Sequence, residues 1–265
     1  MGNMLTPEQS PTRIAVPLYL WPGYGSLPCA WERLLASPAA NPVVVVNPDS
    51  GPGREAVTLF SVAVAKCQSV GIKVLGYVRT EYAKRDLSLV VADLELYSRW
   101  YNVDGFFIDE MYHWGEPLLA LTSVLRCAHN HDHLLLVADE SQLAYYSSVK
   151  AAAELSHKQP LLVLNPGCPT FPEAYLALAD IFVTYESDAD NYTSYVPASF
   201  MVKYPSSKFW HIIYSVDLAS SSKTLQLFKQ QNASWLYMTD LDLTNPYKDL
   251  PGNKIWQLQL QIADA

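Results

Sequence analysis

Short apolar runs closed by turn residues recur along this 265-residue chain. Ile14–Leu20, Val43–Val46, Ile72–Val78 and Val103–Ile108 come first, and Leu161–Leu164, Ile181–Tyr185, Phe209–Tyr214 and Trp235–Met238 follow. Their apolar residues are mostly consecutive rather than alternating. That pattern suits strands buried on both faces, as in a parallel sheet. Pro17 is awkward at a sheet centre, because proline gives no N–H to a ladder. Helical stretches fall between the runs. One covers roughly 54–70 and ends at Gly71, a plausible helix stop, and another covers Asp86–Tyr101. The loop Asn47 to Gly53, NPDSGPG, is dense enough in Gly and Pro to require a sharp turn. The Trp21-Pro-Gly-Tyr-Gly turn ends the first run.

Strand starts near 14, 43, 72, 104, 161, 181, 209 and 234 give eight units, mostly one helix plus one strand apart. Alternating β and α elements imply parallel pairing, and eight of them imply a closed (β/α)8 TIM barrel. The expected organisation is a loose tail over residues 1–12, then one barrel domain over 13–265. The C-terminal stretch Ile255–Ile262 reads as a last strand or a closing helix. The interval before Leu161 is about twice the usual repeat. Residues near 115–138 therefore read as an insertion: a lid over the barrel mouth, a ninth strand, or untranslated material read as coding. His129, His131 and His133 lie in it, but alternate loop residues seldom converge on a metal without another ligand, so no metal or other cofactor is expected.

Two of the runs end in acids. VDGFFIDE delivers Asp109 and Glu110, and DIFVTYE delivers Glu186. A carboxylate has no place inside a buried strand, so each should sit at a strand's C-terminal mouth, where barrel enzymes gather their catalytic groups. Two strands bringing acids to one rim is what a two-carboxylate glycosidase needs. The plainer alternative is that each acid caps a helix or pairs with an arginine. Adjacent strand residues face opposite ways, so Asp109 and Glu110 should differ in role. Asp109 is expected as nucleophile or base, Glu110 as a supporting acid, and Glu186 as the proton donor with a pKa raised by burial and a like charge. Tyr19, Asn47, Tyr77, Asn165, Tyr214 and Asp240 end other strands and are candidate substrate contacts. Rings stack on sugars and amides bond hydroxyls, although a tyrosine at such a place is as often packing.

Composition narrows the partners. A net charge of −8 and a pI near 5.2 argue against nucleic acid or an anionic membrane surface. No apolar run is long enough to span a bilayer. The 17 tyrosines and 7 tryptophans fit either core or sugar stacking. Cys29, Cys67, Cys127 and Cys168 form no CxxC pair, which disfavours a zinc site and leaves disulfides or free thiols open. The N-terminus lacks a basic patch followed by an apolar stretch, so no secretory signal is expected. The sequons at Asn191 and Asn232 matter only in a secreted protein.

The ordered segments VPLYLWP, NPDSGPG, GYVRTEYAKRDL, YSRWYNVDGFFIDE, NPG, DIFVTYE and YMTDLDLTNPY run from Val16 almost to the C-terminus. Together they resemble the spherulin-4-like proteins of fungi and slime moulds. That family includes barrel glycoside hydrolases acting on galactosamine-containing polysaccharides. The resemblance implies catalytic roles for Asp109, Glu110 and Glu186, a polysaccharide partner, and a place outside the cell or at its surface; the chain is expected to be a monomer. Two features depart from the family pattern. The loop before Tyr145-Tyr146 is normally short, and a histidine is usual where this chain has Arg79, a side chain unsuited to acid–base work. The competing reading is a non-catalytic carbohydrate-binding or wall-associated protein. A barrel aldolase or isomerase is disfavoured, because no lysine ends a strand and no phosphate-binding glycine motif follows strands seven and eight.

Overall fold

The computed structural model describes residues 10–24, 29–37, 41–112 and 139–263. Eight strands form a closed barrel in sequence order: β1 (Arg13–Leu18), β2 (Val43–Val46), β3 (Lys73–Arg79), β4 (Gly105–Asp109), β5 (Leu161–Leu164), β6 (Ile181–Asp188), β7 (Phe209–Tyr214) and β8 (Trp235–Met238). Every neighbouring pair is parallel, and β1 closes the ring on β8. The outer layer holds α1 (Ala30–Leu35), α2 (Thr58–Ser69), α3 (Leu87–Tyr101), α4 (Glu140–Ser156), α5 (Ala189–Tyr192), α6 (Ser221–Phe228) and α7 (Asn253–Ala263). A 3-10 turn, Glu173–Ala177, replaces a full helix between β5 and β6. No helix among the described residues is long and apolar enough to cross a membrane. The expected insertion near 115–138, with its three histidines and Cys127, lies outside the described residues.

The apolar runs form strands for the reason their pattern suggests: β2 and β8 are buried at every position. Pro17 is tolerated because β1 meets β8 only through Arg13 and Ile14. Beyond that point one side of β1 has no ladder to interrupt. α3 shows the helical period, burying Val90, Leu94, Tyr97 and Tyr101. Asp86 caps it by accepting from Ser88 N–H at 2.8 Å, and Asn102 ends it at φ +50°. The C-terminal stretch is helical. Ile255, Trp256 and Gln259 are buried, and the Gln259 amide accepts from Met238 N–H at 2.6 Å and donates to Met238 C=O at 2.8 Å. A side chain thus supplies the backbone pairing that another strand would have supplied.

Two glycines set how closely the layers approach. A Cβ on Gly76 would lie 2.5 Å from the Tyr97 ring, so the absence of one lets α3 settle on β3. A Cβ on Gly105 would lie 2.1 Å from the Leu161 carbonyl oxygen, in the β4–β5 seam. Inside the barrel, Phe107 of β4 meets Trp210 of β7 edge-on, with centroids 5.5 Å apart. That contact spans the ring and forms the floor beneath the mouth.

Candidate functional site

The alternation of β4 decides what its terminal acid faces. Phe107 points into the barrel, so Asp109 does too. On β3 the Tyr77 ring lies near Phe107, at 6.3 Å and 22°, and its hydroxyl donates to Asp109 Oδ2 at 2.7 Å. Asn165, the residue after β5, is buried. Its Nδ2 donates to Asp109 Oδ1 at 2.7 Å and to Glu186 Oε2 at 2.7 Å. Its Oδ1 accepts from Gly167 N–H at 2.8 Å. The Tyr247 hydroxyl donates to Glu186 Oε1. Since both bridged oxygens lie 2.7 Å from one nitrogen, they are at most about 5.4 Å apart.

Glu186 reaches this place through an irregularity. The β6–β7 register shifts between Val183 and Tyr185. Val183 pairs with Trp210 and Glu186 with Ile212, so Thr184 is the extra residue of a bulge. On β7, Trp210 faces inward, whereas His211 packs outward against Tyr192, Tyr195 and Phe228. Glu186 therefore shares the inward face with Val183, three residues earlier. An unbroken strand would have sent it outward.

Burial raises the Asp109 carboxyl to about 6, and the Glu186 charge pushes the same way. Hydrogen bonds from Tyr77 and Asn165 pull in the opposite direction. Its surroundings thus raise the Asp109 carboxyl. The two strands place those acids so close that they compete for ionisation.

Glu110 takes a different path. It sits at φ +55° and turns away from the pair, accepting from Glu81 N–H at 3.1 Å. Burial, then the Asp109 charge, raises its carboxyl. Thr80 Oγ1 lies 2.9 Å from both the Asp109 and the Glu110 carbonyl oxygens and 3.0 Å from the Tyr146 hydroxyl. This buried cluster fixes the peptide joining the two acids. Arg79 is half-exposed and pairs with Glu81 at 3.3 Å.

The other candidates separate. Tyr19 belongs to the cluster: its ring meets Tyr77 at 5.5 Å and Tyr247 at 5.1 Å, both edge-on. Tyr214 stands at the end of β7, in register with Asp188. Asn47 holds its own turn, accepting from Gly51 N–H at 3.0 Å. Asp240 is exposed and accepts from Gly252 N–H at 2.8 Å, tying down the loop before α7. Asn165 and Tyr77, expected as substrate contacts, donate to the acids and so brace them. Tyr247 was not among the expected residues. Its only sequence signal is the NPY turn within YMTDLDLTNPY. Among the described residues no group of three His, Cys, Asp or Glu is placed to hold a metal ion, and Cys29, Cys67 and Cys168 are buried.

The sequence profile of the spherulation-specific family 4 matches residues 13–262. This chain belongs to that family. Spherulin-4 of Physarum polycephalum is 26% identical over 246 residues, covering 88% of this chain but only 64% of its own length. Among solved structures, Sph3 of Aspergillus clavatus, determined in complex with GalNAc, superposes with a TM-score of 0.74 at 26% identity. It covers 96% of this family 4 chain and 98% of its own. A chitinase from Rhizomucor miehei matches at TM-score 0.55 and 13% identity over 94% of this chain and 99% of its own, which shows a shared barrel fold.

Proposed function

We propose that this protein is a retaining glycoside hydrolase acting within α-linked polymers of galactosamine and N-acetylgalactosamine. The observation that carries the reading is the Asn165 bridge, which holds one oxygen of Asp109 and one of Glu186 within about 5.4 Å. Retaining glycosidases place their carboxyl groups about 5–5.5 Å apart, and inverting ones leave about 6.5–9.5 Å for a water. The Aspergillus relative solved with GalNAc supports an amino sugar as substrate, and the net charge of −8 favours a cationic, deacetylated chain.

Asp109 is the nucleophile. Both its oxygens accept a hydrogen bond from donors on opposite flanks, Tyr77 and Asn165, which fixes the carboxylate plane and stabilises the charged form. Glu186 is the acid and then the base. It protonates the departing glycosidic oxygen while Asp109 attacks the anomeric carbon, giving a glycosyl ester and a shortened chain. The Glu186 carboxylate then takes a proton from water, whose oxygen displaces Asp109. Tyr247 steers Glu186, and Glu110 supports the loop.

The test is reducing-end release from acetylated and deacetylated galactosaminogalactan, with the first-formed anomer followed by proton NMR. The α anomer should appear before mutarotation. First formation of the β anomer would refute the retaining geometry. Absence of release from every such polymer would favour the binding-protein reading.

A further inference from the structure

We propose that the turn Trp21-Pro22-Gly23-Tyr24 is a sugar-stacking subsite. It would take a residue of the polysaccharide remote from the cleaved bond. The inference rests on the glycoside hydrolase reading and extends it from one bond to the chain.

The turn follows β1 on the mouth side of the barrel. Tyr24 N–H donates to the Trp21 carbonyl at 3.2 Å, and Gly23 lies at φ +87°. Proline followed by glycine in that conformation is the sequence a type II turn demands. Pro22 is buried beneath it, so the backbone carrying both rings is preformed. The Trp21 indole is fixed as well. Its Nε1 donates to the Pro48 carbonyl at 3.1 Å, and the ring meets Phe60 edge-on at 5.4 Å. Yet Trp21 remains 39% exposed and Tyr24 64% exposed. A tryptophan with its N–H satisfied and one edge packed, but much of its surface left in water, is stiffer than a stray surface ring. Large apolar faces left exposed in this way mark binding surfaces.

Its place in the fold gives the direction. Asp109 is held by Tyr77, Tyr77 touches Tyr19, and Trp21 follows two residues later along the same segment. Tyr19 N–H donates to the Tyr247 carbonyl at 2.8 Å, which ties this segment to the residue that steers Glu186. A glycan leaving the acid pair over β1 thus meets the indole next. Exposed Asp49 follows Pro48, whose carbonyl anchors the indole. It adds a negative charge to the loop that anchors the indole, which suits the ammonium of galactosamine. Rigid rings cost little entropy to use, so their contribution to affinity is kept.

The experiment uses α-linked oligomers of galactosamine, free and N-acetylated, from trimer to octamer. Equilibrium binding is measured with Asp109→Asn to prevent turnover, alone and combined with Trp21→Ala or Trp21→Phe. Hydrolysis is measured separately with the native acids. Affinity should rise with chain length, and Trp21→Ala should remove about tenfold or more from the longest oligomers, with progressively smaller losses for shorter ones. Trp21→Phe keeps a ring and should recover most of the rise. Melting temperatures check that each variant is folded. An unchanged length dependence in Trp21→Ala overturns the subsite and leaves the hydrolase reading standing. A Trp21-dependent ladder with no hydrolysis keeps the subsite and removes the hydrolase reading. No binding of any oligomer overturns the subsite.

Discussion

Asp109→Asn should abolish activity and yet stabilise the fold at neutral pH. In the folded chain the Asp109 carboxyl is raised from 3.8 to about 6, so the folded state holds its proton more tightly than the unfolded state does. That favours folding fully below about pH 4 and is lost as pH rises through about 6. Above that, the chain must carry a charge where burial and Glu186 oppose it. The gap corresponds to about 3 kcal/mol at most. Asp109 keeps some accessible surface, so a gain of roughly 1–3 kcal/mol is the expectation. For a chain of this size that is roughly 2–10 °C in melting temperature. Asparagine keeps the shape and still accepts from Asn165. The assay is thermal melting of wild type and variant from pH 4 to pH 8. The variant's advantage should grow with pH and vanish near pH 4. A variant less stable than wild type at pH 7, or an advantage that does not change with pH, would refute the reasoning. A stability gain paired with lost turnover would mark Asp109 as a residue kept at a cost to the fold.

Two further outcomes follow. Glu186→Gln should lose activity on polysaccharide by several orders of magnitude but retain much of it on an activated aryl glycoside, whose leaving group needs little protonation; if Asp109→Asn is the variant spared instead, the two roles are exchanged. Gly105→Ala should cost several kcal/mol, because its Cβ would sit 2.1 Å from the Leu161 carbonyl, and a normal denaturation midpoint for it would show that the β4–β5 seam yields.

Much of the barrel was legible because burial on both faces leaves a plain mark. Val43–Val46, Leu161–Leu164, Phe209–Tyr214 and Trp235–Met238 stand as strands with the bounds their apolar runs suggest. β6 extends three residues past its run, through Glu186, Ser187 and Asp188, since the mouth of a barrel tolerates polar side chains. The C-terminal stretch was ambiguous because one of the three residues it buries is Gln259, a polar residue whose partner is a distant backbone. The acids were legible at the ends of apolar runs. The parts Asn165 and Tyr247 play were not. Each depends on where a loop folds back, and nothing in an amide or a phenol says whether it will meet a sugar or a carboxylate. Asn47 and Asp240 show the same limit from the other side, since turns use the same residue types that ligands do.

The bulge at Thr184 has a consequence for reading relatives. The aim of Glu186 depends on the parity of an interval: three residues separate it from Val183, where a regular strand would need an even number. Loss of one residue there would rotate the acid out of the mouth and leave the buried aromatic floor as it was. A homologue could then keep every carboxylate in its alignment column and still be inert. On the proposed mechanism, residue spacing across β6 would matter as much as the presence of the glutamate itself.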